Sequence, residues 1–245
     1  LRQPVAQDCA LTGEIARRMW RACQPHSKVF ITPMAAVAGS VAEELIACYA
    51  MDGIKSAWVN NGGDIALHLM PGETLRIGLY ADLARLDARE IQNGVNVDGQ
   101  FEITSALPVR GVATSGWRGR SFSLGIADSV TVLARTASEA DAAASIIANA
   151  VNVNDQSIKR RPAWDVKDDS DLGELPVTVD VPRLTQKNVR VALRAGHAKA
   201  EELRAAGLIW SAVLVCQGQV LTSQRENTEM LHFSKVRQQT GSVFA

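Results

Sequence analysis

The chain has 245 residues with 26 basic and 26 acidic side chains, so net charge drives no binding to a polyanion and only local basic patches remain to consider. At 47% hydrophobic it has the material for one large domain or two small ones with a real core. Aromatic residues are sparse at 5% and alanine is abundant, which points to helices packed closely on a sheet, α/β or α+β rather than all-β.

Cys9, Cys23, Cys48 and Cys216 show neither a C-x-x-C pair nor a histidine at metal-ligand spacing, so the expectation is free thiols in a reducing compartment. No apolar run is long enough for a membrane helix, and the start lacks a signal-peptide layout. A cytoplasmic protein without membrane or nucleic-acid partners is expected. The first residue is Leu rather than Met, which predicts that an upstream piece of the domain is missing.

In chain order, residues 8–24 carry a helical apolar face of Cys9, Leu11, Ile15, Ala16, Met19 and Trp20, closed by Pro25. After the apolar Val29-Phe30-Ile31, Pro33 is placed to begin a helix with Thr32 as its cap. Met34, Val37, Ala38, Val41, Leu45, Ile46 and Tyr49 then recur at helical spacing, with Gly39 and Ser40 keeping one side small. That small side suits either tight packing or close approach of a ligand.

The strand ending at Val59 runs into Asn60-Asn61-Gly62-Gly63-Asp64, and Ile65 to Leu69 leads out again. An Asn-Gly pair between apolar runs is the strongest short hairpin signal. The same turn, with glycines that tolerate φ > 0, also lets a ligand approach the backbone. Further strands are expected at Leu75–Leu79, Phe101–Thr104 and Val109–Ala113, with hairpin chemistry in Asn96–Gln100 and a short helix over Asp82–Ile91.

Thr114-Ser115-Gly116 follows as a hydroxyl-rich loop, and Trp117-Arg118-Gly119-Arg120 adds cations and an aromatic face. Such a loop either is solvated or clamps an anionic or planar ligand. Ser129–Ala134 reads as a buried strand. The helix beginning at Ser138 pairs Ser138 with Asp141 in the manner of a capping box. Asp141 and Ser145 lie one turn apart, and a carboxylate with a hydroxyl on one face is a donor pair for a hard cation such as Mg²⁺.

Residues 152–176 are polar, with a basic run at Lys159-Arg160-Arg161 and an acidic one at Asp168–Asp171 that are placed to pair with each other. A strand at Pro176–Val181, a helix over residues 185–206 closed by Gly207, and strands at Leu208–Val215 and Val220-Leu221 complete the pattern. The polar tail from Ser223 is expected to be loosely ordered or to meet another subunit.

The Asn-x-Gly-Gly-Asp turn, then Ala-Thr-Ser-Gly, then a Ser-Val-Thr-Val strand leading to an Ala-Asp-Ala helix, resemble in this order the flavin transferase (ApbE-like) superfamily. More narrowly they resemble its shorter ApbE-like branch in bacteria and archaea, over roughly Ile31 to Val151. The resemblance implies an α+β, T-fold-related layered domain with a mixed or antiparallel sheet packed by Ala-rich helices. It would span residues 1–152, followed by a strand–helix–strand extension over residues 153–245.

The resemblance further implies a flavin-handling protein with FAD or FMN as cofactor, at most a Mg²⁺-dependent transfer of FMN from FAD to an acceptor protein. Asn60, Asn61, Gly62, Gly63, Asp64, Thr114, Ser115, Gly116 and Arg118 would contact the cofactor, and Asp141 and Ser145 the metal. The family's Lys-Gly helix start is Ala38-Gly39 here, and residues 120–128 hold no histidine where the transferases have one, leaving Asp128 as the weak catalytic candidate. Three readings stand: an enzyme of this kind, a binding protein for a flavin or another planar small molecule, or a different small-molecule enzyme on the same scaffold. Each allows a homo-oligomer.

Overall fold

The computed structural model describes residues 1–79, 96–97, 99–224, 231–232, 236–237 and 243–244. The helix expected over Asp82–Ile91 and most of the polar tail lie outside these residues, as does Asp98 of the expected Asn96–Gln100 turn.

A six-stranded sheet organises the chain, in the order β1 (Ser56–Asn61), β2 (Asp64–Leu69), β6 (Gly111–Ser115), β7 (Ser129–Ala134), β10 (Ser211–Cys216), β11 (Gln219–Ser223). Every neighbouring pair in it is antiparallel. Residues beyond 153 therefore finish the sheet that the first half begins, because β10 hydrogen-bonds along β7 from Ser211↔Leu133 to Val215↔Ser129. The architecture is α+β with antiparallel sheets.

Strand alternation sorts the core into two faces. Ala113, Val130, Val132, Ala134, Ala212 and Leu214 face one side, while Val112, Leu133 and Val213 face the other. The first side is covered by helices α2 (Val37–Ile46), α3 (Ala137–Ala150) and α5 (Gln186–Ala205). α1 (Glu14–Cys23) packs on α2 and α3. The second side is covered by the antiparallel pair β3 (Thr74–Leu79) and β5 (Gly99–Thr104), whose Ile77, Phe101 and Ile103 bury against Ile65, Leu67 and Val112. Each such fully buried side chain contributes roughly 1.5–3 kcal/mol relative to exposure.

Alanine and glycine bring α3 close to its neighbours. A Cβ on Gly39 would lie 2.3 Å from the Ala137 carbonyl oxygen, and one on Gly111 would lie 2.1 Å from that of Thr136. The small side of α2 thus serves helix packing.

Several sequence expectations shift. The first helix spans Glu14–Cys23 rather than residues 8–24. Thr32 does not cap: Pro33–Ala36 is a 3₁₀ turn, and the Thr32 hydroxyl instead bonds Asp171. α3 starts one residue before Ser138. Its cap is Thr136, whose hydroxyl accepts from Glu139 N, while the Ser138 hydroxyl donates to Glu43 Oε2 at 2.7 Å. Asp141 is thereby freed from the expected capping box. The polar stretch 152–176 contains β8 (Lys159–Pro162) paired with β9 (Pro176–Asp180), and the single turn α4 (Ala163–Val166). Its charges pair elsewhere: Lys159 with Asp180, and Asp169 with Arg2 and Lys167. Three short strands follow, β12 (Leu231–His232) on β5, β13 (Val236–Arg237) on β4 (Asn96–Val97), and β14 (Val243–Phe244) parallel to β3. Among the described residues no helix is long and apolar enough to cross a membrane.

Candidate functional site

The turn from Asn61 to Asp64 closes a two-residue hairpin, with Asn61↔Asp64 as the last pair of the β1–β2 ladder. Both central residues have positive φ, 72° at Gly62 and 111° at Gly63, which suits the twist of a tight hairpin. Asn60 Oδ1 accepts from Gly63 N at 2.9 Å, and Asn61 Nδ2 donates to the Ala38 carbonyl at 3.1 Å. The hairpin tip is thereby tied to the start of α2.

Asp64 sits at the first position of β2 and is 8% exposed. The β2–β6 pairing is registered at Ile65↔Val112 and Ala66↔Gly111, so Thr114 lies past its end. Its N–H is met by Asp64 Oδ1 at 3.2 Å, a side chain taking the place of the next strand carbonyl. Thr114 Oγ1 is 2.8 Å from Thr131 Oγ1 on β7. Ser115 is half-buried, and Gly116 is packed so that a Cβ would meet the Asp128 carbonyl oxygen at 2.3 Å.

Asp141 comes from the second turn of α3 and accepts the Gly39 N–H at 2.9 Å through Oδ2. Helix α2 has no side-chain cap of its own. Asp141 supplies one from a different helix, and a carboxylate there is favoured by the α2 dipole. Ser145 lies one turn further along α3 and is half-buried.

The two carboxyls act on each other. Burial pushes Asp64 up to about 7, against the Thr114 hydrogen bond that lowers it. Asp141 is raised well above the usual carboxylate range, by burial first and by the Asp64 charge second, with the amides of Gly39 and Ala38 opposing. The buried Cys23 thiol is also raised, by burial and then by Asp141, which puts α1 beside the pair. Because the Asp64 charge raises Asp141, holding a proton on the pair is favoured over ionising both.

Arg118 and Arg120 are exposed. The Arg118 guanidinium lies 4.8 Å from the centroid of the Trp117 ring, and a Cβ on Gly62 would be 3.0 Å from Arg120 Nη1. The 116–120 loop therefore leans on the hairpin tip. Asp128 also holds a turn: its carboxylate accepts from Gln217 N and its own N–H donates to Val215 O at the β10–β11 turn, where Gln217 has φ 45°.

The hairpin tip, Thr114 and Asp141 thus come together, with Arg120 at the rim, whereas Asp128 is spent on a turn. Asp64 and Asp141 each have one oxygen on a backbone amide, and among the described residues no three His, Cys, Asp or Glu side chains gather as a metal-holding group. Sequence reading placed Asp64 and Asp141 in separate roles and did not pair them. Nothing in their spacing brings them together; only the β2–β6–α3 packing does. Cys23 was treated as an ordinary thiol for the same reason.

The family described as AbpE bacteria matches residues 1–222. A UPF0280 protein of Methanopyrus kandleri is 35% identical over 195 residues, which are 78% of this chain and 73% of that protein. UPF0280 proteins of Methanospirillum hungatei and Methanothermobacter thermautotrophicus are 36% identical over 131 residues and 39% over 139. The matches take in 53% and 56% of this chain, and it spans about half the length of those two relatives, 49% and 48%.

The chain belongs to this AbpE family, with UPF0280 proteins as its relatives. Membership overturns the resemblance to ApbE flavin transferases. The motifs that carried it are short glycine, hydroxyl and carboxylate patterns, whereas the AbpE family matches residues 1–222 and a UPF0280 protein matches 78% of the chain. The expectations of a flavin, of FMN transfer and of magnesium lose the support that the resemblance lent them.

Proposed function

We propose that this member of the AbpE family binds a small molecule at the end of the six-stranded sheet, and that Asp64 and Asp141 exchange a proton with it. The observation that carries this reading is the pairing of two carboxyls from distant parts of the chain, each fixed by a backbone amide, Thr114 N for Asp64 and Gly39 N for Asp141. Fixed carboxyls with raised proton affinity are what general acid–base chemistry near neutral pH needs. Arg118 and Arg120 at the rim suit an anionic group on the ligand. The ligand class is therefore a small anion with a proton to give or take.

A second reading rests on the same hydrogen bonds: the pair only staples α2 and β6 to α3, with no ligand. Titration calorimetry with a panel of small carboxylates and phosphate esters, run at one pH in HEPES and in Tris, separates the two. Proton exchange makes the observed heat depend on the buffer. The proposal expects a binder whose heat does so, and expects Asp64→Asn to remove that dependence. Binding that ignores Asp64→Asn, or no binder in the panel, favours the staple.

A further inference from the structure

Helix α5 divides its charges unevenly. In its C-terminal half Lys199 pairs with Glu202, Arg204 with Glu201 at 2.6 Å, and His197 lies 4.0 Å from Glu201. In its N-terminal half Lys187, Arg190 and Arg194 are exposed, and none forms an ion pair among the described residues. Arg183, just before the helix, is also exposed.

Positions 187, 190 and 194 share one helical face. Val191, 46% exposed, stands among them. The opposite face is the packed one, with Val189, Ala192, Leu193, Gly196, Ala200 and Leu203 buried beneath it. Lys187, in the first turn, opposes the helix dipole, and neither Arg190 nor Arg194 gains an ion pair among the described residues in return. The described tail strands β12 and β14 lie on β5 and β3, in the layer across the sheet from α5.

We propose that this face docks a short acidic segment of another protein, its carboxylates on Lys187, Arg190 and Arg194 and an apolar residue on Val191. Charge complementarity selects the partner's sign. The size of the stripe, about 10 Å from residue 187 to residue 194 at the helical rise, selects a peptide of one or two turns. A nucleic acid asks for a longer cationic track and for stacking aromatics, and these positions carry none.

The test is fluorescence anisotropy with a labelled peptide of sequence Glu-Glu-Leu-Glu-Glu-Leu-Glu-Glu, against the full chain at 50 and 300 mM NaCl. Docking predicts binding that weakens with salt, and at least tenfold weaker binding to R190E/R194E. The variant R17E/K55E, with the same change in net charge at two exposed cations away from α5, should bind as the wild type does. A circular dichroism melt confirms that both variants fold. Equal loss in the two variants, no binding to the wild type, or tighter binding of a labelled 20-mer single-stranded DNA would each overturn the proposal.

Discussion

The carboxylate of Asp141 accepts the backbone N–H of Gly39 at 2.9 Å, so helix α3 caps helix α2. The same carboxyl feels the charge of Asp64. One group is thus both a structural anchor and half of a proton-sharing pair, and substitutions can separate the two roles.

Asp141→Ala removes the acceptor, while Asp141→Asn keeps an amide oxygen in its place. The alanine variant should be less stable than the asparagine variant by about 1 kcal/mol, the usual worth of a helix cap. Urea denaturation of both at one pH reads the difference. Equal midpoints would mean that Gly39 N finds water as easily as it finds Asp141.

Asp64 should contribute stability that falls away as pH rises from about 4 to about 7. Asp64 holds its proton up to about pH 7 in the fold, but only to the ordinary carboxylate range when unfolded. Between those limits the native state binds more protons than the unfolded one, so this contribution is full below about pH 4 and is lost by the time pH passes about 7. Asp141, also raised, adds in the same direction. Asp64→Asn, which keeps an acceptor for Thr114 N, should remove this falling part from the profile of urea midpoints between about pH 4 and 7 and leave the opposite trend of buried His26, which is pushed down to about 4. Wild-type and Asp64→Asn profiles of the same slope there would show that Asp64 does not hold its proton in the fold.

Gly39→Ala would press a methyl group 2.3 Å from the Ala137 carbonyl oxygen and 2.9 Å from the Asp141 Cβ. Backbone cannot move aside as a flexible side chain can. A loss of about 1–3 kcal/mol is expected. Gly62→Ala meets only the end of the Arg120 side chain but must hold φ 72°, which costs about 1 kcal/mol. Thermal melts of the two variants should rank Gly39→Ala as the more damaging.

Thiol titration with a disulfide reagent should find two fast and two slow cysteines. Cys9 and Cys48 are exposed, whereas Cys23 and Cys216 are buried. Burial raises both buried thiols, Cys216 to about 12, with the charges of Asp141 and Asp128 adding to it. Reaction follows the thiolate, so the slow pair should react only on unfolding. Urea should release them together with the main transition.

Much of the strand pattern was legible because alternation and turn chemistry are local. Ser129–Ala134 matches its strand end for end, and Gly207, at φ 73°, closes α5 as a helix-ending glycine should. Helix faces were less legible where alanine dominates. Val191, Ala195 and Ala198 of α5 are apolar yet exposed, while Leu193 and the side-chain-less Gly196 are buried. Gly196 is buried because the Val151 and Leu214 side chains crowd it. The hairpin tip could be read from Asn61-Gly62-Gly63-Asp64 alone, but its partner could not. Asp141 reaches it only through the register of β2 on β6 and the seat of α3 above them.

The central position of β7 also bears on how the chain acquires its structure. All six of its residues are buried, and its far edge is covered only by β10, whose first residue is Ser211. A nascent chain that has emerged only as far as α3 holds an apolar strand with an open flank and must wait some sixty further residues for the cover, a topology that is slow to close and prone to pairing with the wrong edge. Shielding of that flank during synthesis, by a chaperone or by delayed collapse, is what the order of strands demands.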